Sequence, residues 1–391
     1  MTPGALMRGF AAALLGTGLA ACAHAVQDCE LNGESVNPAN GHTTAGKTGL
    51  MRCKERDSGE LKREQELRNG RFMGLVRFYE KGRLIKEHSI NDKGNMDGRS
   101  REFLPTGQVL REATYANGRT VGLARSFHAN GQLSRVAFHE EPGGERAVAE
   151  FNDSGQLTDL RCADRAVLAP AVDDARLCGH TGAQPASVDL FDRQGQLRQR
   201  LSLRAGQRLG SDSFHDNGTL AARMTLSGDQ RTEQQFTADG TKRRERVSLV
   251  TERGSIRQRD SDYSERGTLV REQRWSPEGD LLADDSYYLN GQPRRKAAYS
   301  GGTGNAPRLL EVTEFFDTGH RASVMRYAVT GRGAQRATGT HQHFNEQGRL
   351  TAESVYDAQG RLGRERAWNA EGQLQRDDEV FEDGSRKALA R

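Results

Sequence analysis

Apolar side chains are scarce in this chain. Of its 391 residues only 35% are hydrophobic and 6% aromatic, against roughly 45–50% apolar, glycine included, in ordinary globular domains. A thick globular core is disfavoured, and a thin or solvent-washed architecture is expected. No block of one charge is present either. The 57 Lys and Arg stand against 53 Asp and Glu, a net of +4, with the two signs interspersed along the chain. Such a surface suits solution and argues against a nucleic-acid groove. Also missing are a G-x-S-x-G elbow, an H-E-x-x-H helix and any Cys-x-x-Cys pair. Their absence removes familiar signatures of acyl-transfer and zinc chemistry.

The one sustained apolar run, "GFAAALLGTGLA" after Arg8, is too short to span a bilayer as a mature helix and has the form of an export signal over residues 1–21. "LAAC", Leu19 to Cys22, resembles the bacterial lipobox and would place a diacylglycerol on Cys22; cleavage after "AHA" at 23–25 is the alternative. The expectation is an exported protein, either periplasmic or an outer-membrane lipoprotein of a Gram-negative bacterium. It would touch a membrane only through that N-terminal lipid. Setting Cys22 aside leaves Cys29, Cys53, Cys162 and Cys178. In an oxidising compartment the sequence-local pairings Cys29 with Cys53 and Cys162 with Cys178 are expected, although other connectivities exist. Each closed loop would contribute about 3 kcal/mol.

What the chain does have is 45 glycines and one recurring phrase. An aromatic is followed after three positions by Gly and then, two places on, usually by Leu. It reads "FHANGQL" at Phe127, "FHDNGTL" at Phe214, "YSERGTL" at Tyr263, "FNEQGRL" at Phe344, "YDAQGRL" at Tyr356 and "WNAEGQL" at Trp368. A first copy, "FYEKGRL", starts at Phe78. Gly107, Gly131 and Gly155 step by 24, whereas Gly348, Gly360, Gly372 and Gly384 step by 12, so the longer unit is two 12-residue beats. Residues 58–84 and 194–220 align without a gap, with glycines spaced 11, 4 and 8 in both.

Within one beat the Leu and the next aromatic, such as Leu350 and Tyr356, are six residues apart. An even spacing puts both on one face of a strand, whereas on a helix they would point about 240° apart. The period therefore predicts an antiparallel meander with a thin apolar stripe and one solvated side. Asn-Gly at 69–70, 117–118, 130–131, 217–218 and 290–291 supplies positive φ for tight hairpins. The fold class is all-β: tandem antiparallel β-hairpin repeats of 12/24-residue period forming an elongated twisted sheet.

The alternation in "REFLPTGQVLREATYANGRTVGLARSFHANGQL" resembles the bacterial variant of MORN repeats, found in proteins often labelled antitoxin components of toxin-antitoxin systems. The resemblance spans about 58–160 and 186–385. It implies a repeat sheet and, through the family label, a toxin as partner. The Tyr-x-Gly-x-Trp-x-x-Gly core of eukaryotic MORN repeats is missing, so their lipid contacts are not implied. "YDAQGRL" is also similar to the YD repeats of large secreted toxins, but most other copies lack the Asp and the chain is too short to form their shell. The organisation expected is a signal at 1–21, a tether and disulfide-bridged cap at 22–57, a first array at 58–160, a bridged junction at 161–185 and a second array at 186–391.

Candidate chemistry is thin. "GHTTAGKTGL" at 41–50 fits the phosphate-loop pattern with Gly41, Gly46, Lys47 and Thr48, yet the upstream "CELNGESVNPAN" is polar and turn-rich and no helical pattern follows. We read it as turn chemistry. His341 and His343 could share a metal on one strand face, but no third ligand offers itself and two exposed histidines are expected. "KRRER" at 242–246 lies among acidic residues and reads as a solvated sheet face. No catalytic residue, metal site or cofactor is expected. The aromatics Phe78, Phe127, Phe214, Tyr263, Tyr356 and Trp368 are the core stripe and, where partly exposed, the candidate binding surface. The function expected is a non-catalytic binding protein of the cell envelope, with a protein partner that its family resemblance suggests is a toxin. A scaffold or glycan-binding lipoprotein is the alternative, and no nucleic acid is involved.

Overall fold

The computed structural model describes residues 27–142, 144–302, 308–329 and 333–390. Cys22 and the export segment lie outside them. Among the described residues nearly all regular structure is antiparallel strand in successive hairpins, and the sheets do not close into a barrel. This is the all-β hairpin-repeat fold that the 12-residue period predicts. Among the described residues helix is confined to two single turns, Gly41–Thr44 and Asp174–Leu177.

Two compact units are distinguished. The first takes in the described residues up to Gly131 together with 141–142. Its strands Gly49–Glu55, Leu61–Arg68, Arg71–Glu80, Arg83–Ile90, Met96–Phe103, Val109–Ala116 and Arg119–Phe127 each pair with the next. Gln27–Leu31 pairs with Gly49–Glu55, and Glu34–Val36 lies beyond it. The second unit holds Gln132–Glu140 and the described residues from 144 onward. Leu133–Glu140, Gly144–Phe151 and Leu157–Arg161 form a short meander there, and the strands from Ala186–Phe191 to Arg386–Ala390 follow one another in a long one.

The recurring phrase has a single geometric meaning. In "FNEQGRL" the Gly348 N–H donates to the Asn345 carbonyl at 2.9 Å and the Asn345 N–H to the Arg349 carbonyl at 2.9 Å, with Gly348 at φ +76°. This is a type I turn followed by one residue in the left-handed region, where glycine has no Cβ to clash. The loop sets the aromatic opposite the Leu of its own phrase: Phe344 with Leu350, Tyr356 with Leu362, Trp368 with Leu374, each just after a bulge. Asn130-Gly131, Asn217-Gly218 and Asn290-Gly291 belong to such turns, with only the glycine at positive φ. Asn69-Gly70 and Asn117-Gly118 alone among the five are two-residue turns with both residues at positive φ. The positive φ expected of Asn-Gly is thus met by the glycine in all five and by the asparagine in two. In the phrase loops the register shift lies directly at the aromatic, whereas in the Asn69-Gly70 and Asn117-Gly118 hairpins it lies further along the strands.

Burial is patchy, as the composition requires. One cluster joins Cys29, Leu31, Val36, Met51, Cys53 and Leu67, with Phe72 packed against it. Another joins Ala297, Leu310 and Val312, flanked by Tyr299, Met325, Tyr327 and Val329. Both expected disulfides are present: Cys29–Cys53 links directly opposed residues of neighbouring strands, and Cys162–Cys178 closes the junction. They indicate an oxidising, extracytoplasmic environment.

The internal alignment has a structural counterpart. Gly70 aligns with Gly206, and each sits at the tip of a two-residue hairpin onto which the preceding cysteine-bearing segment docks. The Gly70 N–H donates to the Lys47 carbonyl at 2.8 Å and the Asn69 N–H to Thr48 Oγ1 at 2.9 Å. The Gly206 N–H donates to the Cys178 carbonyl at 2.9 Å and the Ala205 N–H to the Gly179 carbonyl at 2.8 Å. A Cβ on Gly206 would collide with the Ala163 carbonyl oxygen, whereas one on Gly218, also at positive φ, would meet nothing within 4 Å. Gly218→Ala should therefore lose only the roughly 1–2 kcal/mol of a left-handed alanine. Gly206→Ala should lose clearly more, and denaturant melts of the two variants measure the difference.

Candidate binding faces

Where a globular protein would place apolar residues, the first unit places charges. Strand register aligns Arg52, Glu64, Arg77, Glu87, Arg101, Glu112 and Arg125 as consecutive cross-strand neighbours, strictly alternating in sign. Arg52 Nε lies 3.1 Å from Glu64 Oε1, Arg77 reaches Glu64 and Glu87 at 3.4 Å each, and Arg125 Nη1 lies 3.0 Å from Glu112 Oε1. Arg101 also pairs with Glu87, and Arg99 Nη2 with Glu112 at 2.8 Å. Partial burial pushes the Glu64 carboxyl up, but hydrogen bonds from Tyr79 Oη, Arg52 and Arg77 outweigh it and hold the group below the usual range. Glu112 is lowered chiefly by the Arg99 hydrogen bond, against burial and with help from Arg125.

On the opposite face Gln65, Val76, His88, Ser100 and Ala113 stand opposite one another in turn. Phe78 stacks on His88 at 5.9 Å between ring centres, with the Arg63 guanidinium over the Phe78 ring, 5.6 Å from its centre. Burial, then the charges of Lys86 and Arg63, depresses the His88 imidazole below its ordinary value. The two-residue turn at Lys81-Gly82 shifts this hairpin by one, so Tyr79, not Phe78, faces Leu84.

The second unit carries such ladders on both faces. Adjacent residues of a strand point to opposite faces, and both Glu245 and Arg246 are engaged: Glu245 with Lys242, Arg259 and Gln234, Arg246 with Glu233 and Asp260. The expectation of one apolar and one solvated side is corrected here. "KRRER" is a solvated sheet face as read, with its cations neutralised. Asp260, 4% exposed, accepts from Arg244 at 2.7 and 2.9 Å and from Arg246 at 3.4 Å. Burial would raise its carboxyl, and these guanidinium groups instead hold it low.

Beside Asp260 lies an open cleft lined by Arg231, Glu233, Arg246, Ser248, Ser255, Arg257, Trp275 and Gly279. A bulge between Val247 and Ser248 sets Arg257 opposite Ser248, and so onto the Asp260 face. Its guanidinium lies 5.0 Å from the Trp275 ring centre. No sequence signal marked this cleft, because the bulge that assembles it leaves no motif.

The six aromatics singled out from the sequence are all half-buried and lie on separate strands. Tyr356 packs with His341 at 4.7 Å, Tyr327 approaches that imidazole at 5.2 Å, and Tyr263 has Lys242 Nζ 4.4 Å from its ring centre. Cations sit similarly over Phe103, Tyr288 and Tyr299. His343 is exposed as expected, but His341 is 7% exposed and its Nε2 lies 2.7 Å from the Arg326 carbonyl oxygen. Tertiary packing of Tyr327 and Tyr356 against the ring explains that correction. Among the described residues no group of three or more His, Cys, Asp or Glu side chains could hold a metal ion.

The phosphate-loop match does not form a cradle. Its one helical turn, Gly41–Thr44, precedes Lys47 instead of starting at it, Lys47 Nζ pairs with Glu34 Oε2 at 2.6 Å, and Thr48 Oγ1 is taken by the Asn69 N–H.

Residues 96–117, the strand Met96–Phe103, its turn and the strand Val109–Ala116, match the MORN repeat variant. A MORN-type repeat is therefore present. No curated protein matches the chain. Among solved structures it is similar to TarM, with 15% identity and a TM-score of 0.18 over 23% of this chain and 18% of that one. TcdB2-TccC3 without its hypervariable C-terminal region gives 10% and 0.16 over 93% and 25%. The Photorhabdus luminescens Tc holotoxin pore gives 10% and 0.15 over 86% and 23%. The chain spans between 18% and 25% of the length of these structures, and scores this low carry no argument.

Two outcomes follow from the geometry. His88 is depressed from 6.5 and Glu64 and Glu112 from 4.5, so each takes up protons more readily unfolded than folded. Stability should fall as pH drops through 6.5, and again below 4.5, when measured by thermal melts. His88→Gln should remove the first step and leave the second. Separately, ATP with magnesium should give no melting shift in the parent chain or in Lys47→Ala; a shift abolished by that substitution would restore the nucleotide reading.

Proposed function

We propose that this is a non-catalytic binding protein of the bacterial cell envelope that holds a protein partner against its repeat sheet. The observation that carries the reading is the set of cation-on-aromatic pairs at the strand ends: Arg101 with Phe103, Lys242 with Tyr263, Arg257 with Trp275 and Arg308 with Tyr299. Arg, Tyr and Trp dominate binding hot spots because each joins a large rigid contact area to a polar handle. Here they are half-exposed on open sheets, and the cation holds each ring in a fixed orientation before any partner arrives. Repeat architectures suit this use, since they present many similar contacts along one surface.

The resemblance to repeat proteins labelled antitoxins, the MORN variant at 96–117 and the disulfides together support an exported immunity-like partner of a toxin. In this reading a lipid on Cys22 tethers the chain to the envelope. The test is co-expression with a toxin-like product of a neighbouring gene. A stable complex and relief of toxicity are expected, with affinity lowered about tenfold or more by Tyr263→Ala or Tyr356→Ala at hot-spot magnitudes. No complex, or a complex indifferent to every strand-end aromatic, would overturn it.

A further inference from the structure

The cleft at Trp275 has a composition that the sheet around it does not explain. In the ladders described above, guanidinium groups are matched by carboxylates. In the cleft three cations, Arg231, Arg246 and Arg257, line a wall whose one carboxylate is Glu233. Arg231 pairs with Glu233, and Arg246 shares Asp260 with Arg244. Arg257 is left with a long contact, 3.9 Å, to that same Asp260, which already accepts hydrogen bonds from two other arginines. Its side chain is 45% exposed yet held in place over the indole. A guanidinium positioned by an aromatic ring and short of a carboxylate is preorganised to receive one.

The remaining groups define the rest of the ligand. Ser248 and Ser255 offer hydroxyls that donate or accept, and Glu233 offers carboxylate oxygens that accept from hydroxyl donors. The Trp275 ring supplies an apolar wall. Acceptors and donors set around an aromatic wall match a polyhydroxylated ring, while the Arg257 end requires a negative charge on it. The cleft volume, about 440 Å³, falls in the range of small-ligand sites.

We propose that this cleft binds an acidic sugar, the carboxylate of a hexuronic acid residue meeting Arg257 and Arg231 while its ring hydroxyls meet Ser248, Ser255 and Glu233. This goes beyond the protein-partner reading and needs no partner. A neutral sugar leaves Arg257 unmatched, and a bare inorganic anion, having no hydroxyl donor and no apolar face, leaves Glu233 and the Trp275 ring unused.

Calorimetric titration of the full chain with a hexuronate trisaccharide, and with the neutral hexose trisaccharide of the same linkage, tests it. The acidic sugar should bind saturably and the neutral one about tenfold or more weaker, the scale of one lost charge-assisted hydrogen bond. Arg257→Gln should lower affinity for the acidic sugar by about the same factor. Arg231→Gln should do so independently, so that misfolding of one variant leaves the other to decide. Arg349→Gln, at a distant turn where Arg349 donates to the Ala370 carbonyl, should change nothing. Equal binding of the two sugars, absence of binding to both, full competition by inorganic phosphate, or unchanged affinity in folded Arg257→Gln and Arg231→Gln would each overturn the assignment.

Discussion

The cross-strand ion pair is the interaction on which this protein depends. With so few apolar side chains, the sheets cannot define their register by a hydrophobic face alone, and a slip of one residue would turn every side chain over. Alternating charges supply the missing constraint. In the row from Arg52 to Arg125 each carboxylate stands between arginines of the two flanking strands. A slip would break those contacts or set like charges side by side, which is unfavourable at cross-strand distances.

Single exposed pairs contribute little, roughly 0–1 kcal/mol, because water solvates both partners and the long side chains lose freedom. The shared carboxylates are different in kind. Glu64 accepts from two arginines and a tyrosine, Asp260 from Arg244 and Arg246, and Asp377 from Arg364 with Arg366 nearby. Each is nearly buried beneath the guanidinium groups that satisfy it. The methylene stems of those arginines also cover the thin sheet, so one residue type serves as counter-ion and as packing. The same economy leaves the occasional cation, Arg257, with its ring platform but without a full counter-ion.

The disulfide-bearing segments solve a second problem of the architecture. A meander of hairpins has tips that nothing covers, and the two-residue tips at Asn69-Gly70 and Ala205-Gly206 are each covered by the segment preceding their array. In both, backbone N–H groups of the tip are satisfied by that segment, and only a glycine lets it come so close. "GHTTAGKTGL" belongs to this covering, which is why its lysine and threonine have structural partners.

Much of the fold was legible in the chain itself. The 12-residue beat, the even spacing from Leu350 to Tyr356 and the fixed glycine determined strands, their length and the hairpin between them, because local backbone preference and side-chain alternation suffice for these. The two cysteine pairings were legible too, being short in sequence. Tertiary structure decided the rest. Whether Phe78 or Tyr79 meets the leucine depends on a turn type that its neighbours select. His341 is enclosed by Tyr327 and Tyr356, from 14 residues before and 15 after it. Arg257 reaches Trp275 and Asp260 through a bulge opposite Val247 and Ser248. Each outcome turns on register between strands, and register is set by interactions that form only once the strands lie side by side.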